Sequence, residues 1–223
     1  MHASRRILFV LLPLLASCQT FDQQSTTAPG ERVRLQGEIT RAAGHLLFSP
    51  CQEQRRFIVS NDGATDVIRD SAALLAEGPG PLFADLRGRL AASPQSSVDG
   101  QLALDQVYRL QREGQGCADL NFTRTLLHAD GHEPDWNLTV GVAGLVLKRP
   151  GQPPLALPYL EERLPEGRLN LTSEANGQRL ELWVAPQHCI DSMSGGVRHL
   201  AAELRLNGEV MRGCGYLGGA RND

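Results

Sequence analysis

The sequence predicts a mainly β protein in two parts: a five-stranded barrel carrying one helix, followed by an antiparallel β barrel or sandwich. Three observations predict it. Apolar and polar residues alternate in short runs along most of the chain, which is the period of a strand with one buried face. One stretch in the first half, Thr65 to Glu77, switches instead to helical spacing. Two Asn-Gly pairs, Asn176-Gly177 and Asn207-Gly208, sit between alternating runs in the second half and supply the positive φ of a type I′ hairpin turn.

The chain opens on Arg5-Arg6, a positive stretch, followed by the apolar run Ile7 to Leu15, which is too short for a bilayer and broken by Pro13. A signal peptide over residues 1–17 accounts for it. An ordinary secretory signal would be cut at a small-residue site, which Ala16-Ser17 supplies. Leu15-Ala16-Ser17-Cys18 resembles a bacterial lipobox, and that resemblance implies cleavage before Cys18, diacylglyceryl transfer to its thiol and acylation of the new amino terminus with palmitate. Several acyl chains on one residue exceed what stable anchoring requires. Gln19 stands where an aspartate would signal inner-membrane retention, so the expected location is the periplasmic face of the outer membrane.

Removing residues 1–17 takes the 22 basic residues to 20 and leaves the 25 acidic ones, so the mature net charge is −5 against −3 for the whole chain. That balance opposes nucleic-acid binding. Residues 18–31, which carry Gln, Ser, Thr, Ala, Pro and Gly with one aromatic, read as a flexible tether.

From Val33 the first part begins. Val33, Leu35, Gly37 and Ile39 alternate with polar residues to give one strand, His45 to Phe48 a second and Arg56 to Val59 a third. Val67, Ile68, Ala72, Leu74 and Leu75 share a helical face that Gly78-Pro79-Gly80-Pro81 ends. Strands resume at Leu82 to Leu90 and at Leu102 to Leu110. Three strands, a helix and two strands are the element order of an OB-fold barrel.

Leu35-x-Gly37, Phe48-Ser49-Pro50-Cys51, Phe57-x-Val59 and Pro81 to Arg89, with a last strand ending near Tyr108, resemble the C-terminal OB domain of the NlpE family of outer-membrane lipoproteins. The resemblance covers residues 33–112 and implies a role in envelope homeostasis or stress sensing. The Cys-x-x-Cys motif of that family's N-terminal domain has no counterpart here. OB barrels that bind single strands use a basic groove and stacked aromatics; Phe48, Phe57, Phe83 and Tyr108 are the aromatics on offer, and the acidic, exported chain makes a protein or small ligand the expected partner.

Gln111 to Gly116 is a polar, Gly-bearing boundary, which divides an OB domain at residues 32–117 from an all-β domain at 118–219. Besides the two Asn-Gly hairpins, Leu138-Val140-Val142 and Leu145 to Leu147 predict a third. With Cys18 assigned to lipid, Cys51, Cys117, Cys189 and Cys214 remain as an even set for disulfides in an oxidising compartment. Four cysteines allow three pairings and the sequence does not choose; nearest-neighbour pairing keeps each bridge within one part.

Gly131, Glu133, Pro134 and Trp136, then Asp191, Met193 and Ser194 after Cys189, and a closing Gly213-Cys214, resemble an uncharacterised family of envelope lipoproteins. Its motifs read Gly-Asn-Glu-Pro-aromatic-Trp and Cys-x-Asp-Gly-Met-Ser. The match covers residues 120–217, with His132 in place of the Asn, Asp135 of the aromatic and Ser192 of the Gly, and it implies no particular activity.

Chemistry-bearing residues cluster in the same stretches. His128 and His132, with Asp130 and Glu133 beside them, are candidate metal ligands, although Asp130-Gly131 predicts a turn between the rings. Met193 with His188 and Cys189 is a candidate copper set, set against a disulfide-bonded Cys189 and a core role for Met193. Ser192 or Ser194 with Asp191 and His188 would suit a hydrolase, and Glu133 with Asp191 an acid–base pair, but no nucleophile elbow or α/β frame accompanies them. Gly213-x-Gly215-x-x-Gly218 matches the dinucleotide fingerprint only literally, since no helix can follow it. The sequons at Asn121, Asn137 and Asn170 carry no meaning in a bacterial lipoprotein. The expectation is therefore a non-enzymatic binding or sensing module with no resident cofactor, and metal handling as its alternative.

Overall fold

A computed structural model describes residues 31–221 apart from 62 and 94. The leader, Cys18 and nearly all of the tether lie outside the described residues.

The first part contains β1 (Arg32–Ala42), β2 (His45–Pro50), β3 (Phe57–Ser60), α1 (Val67–Ala76), β4 (Leu82–Ala91) and β5 (Gly100–Gln111). Antiparallel pairs join β1 to β2 and to β4, β2 to β3, and β4 to β5. A parallel pair between β3 and β5 closes the ring. This is the five-stranded barrel the element order predicts. Alternation dictates its filling: Ile39, Leu46, Phe48, Phe57, Leu86 and Leu102 all point inward and are buried. Each fully buried apolar side chain of this size contributes about 1.5–3 kcal/mol. In α1, Val67, Ser71 and Leu74 form the buried stripe, four and three residues apart, and Val67 and Leu74 join the barrel core. The turn before the helix is held by Asn61, whose Oδ1 accepts the Thr65 amide at 3.0 Å.

The second part runs through β6 (Thr125–Glu133), β7 (Asp135–Gly141), β8 (Gly144–Lys148), β9 (Leu155–Leu157), β10 (Leu160–Arg163), β11 (Leu169–Ala175), β12 (Gln178–Ile190), β13 (Val197–Leu206) and β14 (Glu209–Leu217). All its neighbours are antiparallel, in the order β10-β11-β12-β13-β14-β6-β7-β8-β9. Eight of these strands send side chains into one core, so the sheet curls round it and its two edges, β9 and β10, meet at the Pro158-Tyr159 link. Both Asn-Gly pairs turn as expected, with φ of 54° and 70° at Asn176 and Gly177 and 53° and 92° at Asn207 and Gly208. The third hairpin forms between β7 and β8.

The cysteines pair as nearest neighbours. Cys51–Cys117 ties the end of β2 to a short 3-10 turn, Gly116–Ala118, and Cys189–Cys214 ties β12 to β14 across β13.

The two parts share one continuous sheet, because Val197 and Arg198 at the start of β13 pair with Leu110 and Arg109 at the end of β5. Val197 inserts into the barrel core. Side chains reinforce the junction: Arg34 of β1 donates to the carbonyl of Leu217 at 2.6 Å, and His199 Nδ1 donates to that of Tyr108 at 3.1 Å. His188 of β12 meets Asp70 of α1 at 2.8 Å.

Candidate functional site

Two of the stretches that carry chemistry in the sequence meet at this junction. The first is the hairpin of β6 and β7. Strand β6 runs unbroken from Thr125 to Glu133, so the turn expected at Asp130-Gly131 is not there. It falls instead at Glu133-Pro134, a cis peptide between the paired residues His132 and Asp135. The two-residue period of the unbroken strand places His128, Asp130 and His132 on one face. Gly131 packs into the sheet because a Cβ there would lie 2.2 Å from the Arg212 carbonyl and 2.6 Å from Trp136 Nε1. Gly131 and Trp136 are cross-strand partners, so the bare glycine makes room for the indole.

The second stretch is the turn from β12 to β13, which Asp191 organises. Its Oδ1 accepts the Ser194 amide and hydroxyl, each at 2.7 Å, and the Met193 amide at 3.2 Å. Its Oδ2 meets His132 Nε2 at 2.8 Å, and His132 Nδ1 reaches Asp135 at 3.2 Å. Burial alone would raise the Asp191 carboxyl, but the Ser194 amide and hydroxyl and the neighbouring His132 hold it below the ordinary carboxylate range. Burial works against the His132 imidazolium, yet Asp191 and Asp135 outweigh it and raise that group. The Gly131-to-Trp136 and Asp191-to-Ser194 motifs are thus two sides of one ion pair.

The remaining candidates are distributed differently. Met193, expected in a core, is 74 % exposed at the tip of the turn. The His128 ring contacts Thr139 Oγ1 and Asn137 Nδ2 and lies 5.0 Å from that of Tyr216, tilted by 33°. His188 faces Asp70 while Ser194 faces Asp191, so the histidine and serine of a hydrolase set are held by different acids. Glu133 is exposed at the hairpin tip. Cys189 is in a disulfide and Gly213 and Gly215 lie in β14. Phe48, Phe57, Phe83 and Tyr108 are all buried. Among the described residues, Asp130, His132 and Asp191 form a group whose ligand atoms lie within 4.8 Å of one another; it contains the predicted ligand His132, while His128 lies 4.0 Å from Asp130.

Beside this ion pair opens a cleft of about 630 Å³, walled by Arg109 and Gln111 of β5, Gln115 and Asp119 after it, His128 and Asp130 of β6, Ser194, Arg198 and Tyr216. Both parts of the molecule build it. Arg109 and Arg198 are cross-strand partners, a like-charge pairing that costs stability unless it is compensated. Arg198 is compensated by Asp130, with which it forms a short ion pair. Arg109 is 4 % exposed, its guanidinium 4.6 Å from the Phe83 ring and 4.2 Å from that of Tyr216. Burial pushes its pKa down, against the pull of Tyr216 and Asp85. Burial, followed by the charges of Arg198 and Arg109, lowers His128 to about 3 and keeps it neutral.

Sequence reading missed Arg109. Its only signal is an arginine within the largely apolar strand end Val107-Tyr108-Arg109-Leu110, and nothing in the sequence pairs β5 with β13.

No family model, no curated protein and no solved structure matches the chain.

Proposed function

We propose that this chain is a non-enzymatic lipoprotein, anchored through Cys18 at the periplasmic face of the outer membrane, that binds or senses an envelope component in the cleft between its two parts. The observation that carries the reading is the cleft itself. It is polar, it is built by both parts, and it adjoins the one place where the two residue motifs meet. A binding module needs such a preformed concavity with a few convergent polar groups. The lipobox-like leader and the NlpE-like first part support the envelope setting and a homeostasis or stress role.

Two measurements test it. In cells fed an alkyne fatty acid, the wild type takes up label and Cys18→Ala does not; label retained by the variant sinks the anchor. A photo-crosslinking residue at Gln115, on the cleft wall, is expected to give adducts in cells that the same residue at exposed Val142, remote on the β7–β8 turn, does not.

A second reading, metal handling, is favoured by the Asp130, His132 and Asp191 group. Calorimetry with Cu(I), Cu(II) and Zn(II) tests it: binding weaker than about 10 µM, equivalent to about −6.8 kcal/mol, removes it. The hydrogen bonds that already occupy Asp191 and the pairing of Asp130 with Arg198 weigh against it.

A further inference from the structure

Five arginines in the described residues bury a guanidinium nitrogen that has no hydrogen-bond partner: Arg34, Arg87, Arg109, Arg112 and Arg221. Four of them donate through another nitrogen. Arg34 binds Asp85 and Leu217, Arg87 the Tyr108 hydroxyl, Arg112 the carbonyls of Leu74 and Pro79, and Arg221 the Glu161 carboxylate. Arg109 is the exception. Its Nε and Nη2 are both buried without a partner, and no oxygen among the described residues accepts from it or lies within ion-pair distance.

The reason is topological. Asp85 is the cross-strand neighbour of Arg109, but both of its carboxylate oxygens are taken by Arg34, at 2.9 and 2.8 Å. Of the acids on the cleft wall, Asp130 is held by Arg198, and Asp119, whose charge also acts on Arg109, accepts the Asn121 amide through Oδ1 and lies beyond ion-pair distance. The rings of Phe83 and Tyr216 favour a cation, yet they supply no acceptor to five N–H donors. A buried charge without hydrogen bonds is costly. A guanidinium so placed, on the wall of an open cleft and backed by a second arginine, is arranged to receive planar oxygens.

We propose that Arg109 is the anchor of an oxyanion site in the cleft, binding the carboxylate or phosphate group of a small ligand through its guanidinium. The inference rests on the reading of the cleft as the ligand seat and names the chemistry of what sits there. Arg198 adds positive charge at the same wall. The Tyr216 hydroxyl, whose ionisation is opposed first by burial, remains a donor at neutral pH.

The test uses the full lipidated chain in neutral detergent and Tris–chloride buffer of fixed ionic strength, titrated in separate arms with sodium phosphate, sodium succinate and dihexanoyl phosphatidylglycerol. The arms distinguish a free phosphate, a carboxylate and a lipid headgroup. At least one is expected to bind saturably and raise the melting temperature, with the Arg109 Nε–H resonance of the wild type moving along the same isotherm. Arg109→Met, similar in size and uncharged, is expected to weaken that binding at least tenfold while melting no lower than the wild type without anion, because it removes an unpaired buried charge. A merely structural arginine predicts the reverse: a lower melting temperature and unchanged binding by whatever folds. If Arg109→Met fails to fold, Arg109→Lys, which keeps the charge and loses the fork, is expected to weaken binding at least threefold. The inference falls if no arm binds, if the Arg109 resonance stays fixed while binding occurs, or if binding by Arg109→Met lies within twofold of the wild type. Crosslinks from Gln115 in cells with no oxyanion bound in any arm would overturn the inference and leave the binding function standing.

Discussion

The junction has two sides, and each centres on an arginine that the sequence treats alike, half-buried Arg34 on one and buried Arg109 on the other. On the closed side, Arg34 stacks on Tyr108 at 3.7 Å, spans both oxygens of the fully buried Asp85 and reaches across to the Leu217 carbonyl. On the open side, Arg109 also stacks on aromatic rings, and its donors meet no oxygen. The same residue type in similar aromatic surroundings is bound through Nε and Nη2 in one place, with only Nη1 left over, and meets no acceptor at all in the other. One acid standing between two arginines creates the difference: Asp85 binds Arg34, and by doing so it joins the barrel to β14 and leaves Arg109 for something else.

The largest expected effect breaks the closed side. Asp85→Ala leaves the half-buried Arg34 without its acid, and breaking one partner of a fully buried ion pair costs about 3–5 kcal/mol, an upper bound where one partner is part-exposed. The denaturant midpoint should fall accordingly with little change in slope. If Asp85→Ala is instead near neutral, Arg34 has found another acceptor and the contrast between the two sides is wrong.

The next effect isolates the open side. Cys117 lies between Gln115 and Asp119, which wall the cleft, and its bridge to Cys51 closes a loop of 66 residues. Chain entropy gives such a bridge about 4 kcal/mol. Replacing both cysteines by alanine is expected to lower stability by up to about that amount and to weaken oxyanion binding, since the segment carrying Asp119 is no longer pinned. The Arg34–Asp85 pair should survive, and protection of the β1 and β4 amides from hydrogen exchange, measured relative to global stability, would report it.

Much of this architecture was legible because it is local. Alternation at Val33 to Ile39 and at Leu82 to Leu90, the extent of α1 and both Asn-Gly turns are written in neighbouring residues and lie within three residues of their places, although Ile68 of the expected helical face is exposed and Asp70 and Ser71 join Val67 and Leu74 in the buried stripe. The even set of cysteines gives two bridges by parity alone, although their partners lie 66 and 25 residues apart. The site was less legible because it is made by long-range pairing. Asp130-Gly131 looked like a turn in a composition sense, but β14 pairs along β6 and keeps it extended, moving the turn to Pro134. In sequence His188 is a partner for Ser194, six residues away beyond Asp191; Asp70, 118 residues away, takes it instead. Arg109 and Arg198 face each other only because β5 and β13 join end to end, a contact that no short-range pattern encodes.

The smallest effect compares two histidines, one on each side. His128, on the cleft, is held neutral with a pKa of about 3 by burial and then by Arg198 and Arg109. His199, against the Tyr108 carbonyl, is lowered to about 4 by burial, with smaller pushes from Arg34 and Arg87. Both lie below the ordinary value of about 6.5, so the unfolded chain takes up their protons first. Their contribution to stability is complete above about pH 6.5 and is lost as the pH falls toward the folded values, at up to about 1.4 kcal/mol per pH unit for each histidine. His132, raised by Asp191 and Asp135, has the opposite sign: its contribution is complete below about pH 6.5 and fades as the pH rises through its folded value. The comparison lies in how the two lowered histidines respond. A bound oxyanion or Arg109→Met removes positive field from the cleft alone, so the His128 pKa is expected to rise in NMR titrations while that of His199 stays within a few tenths. Equal movement of both would mean that the two sides share one field, and that Arg109 is no more open to a ligand than Arg34 is.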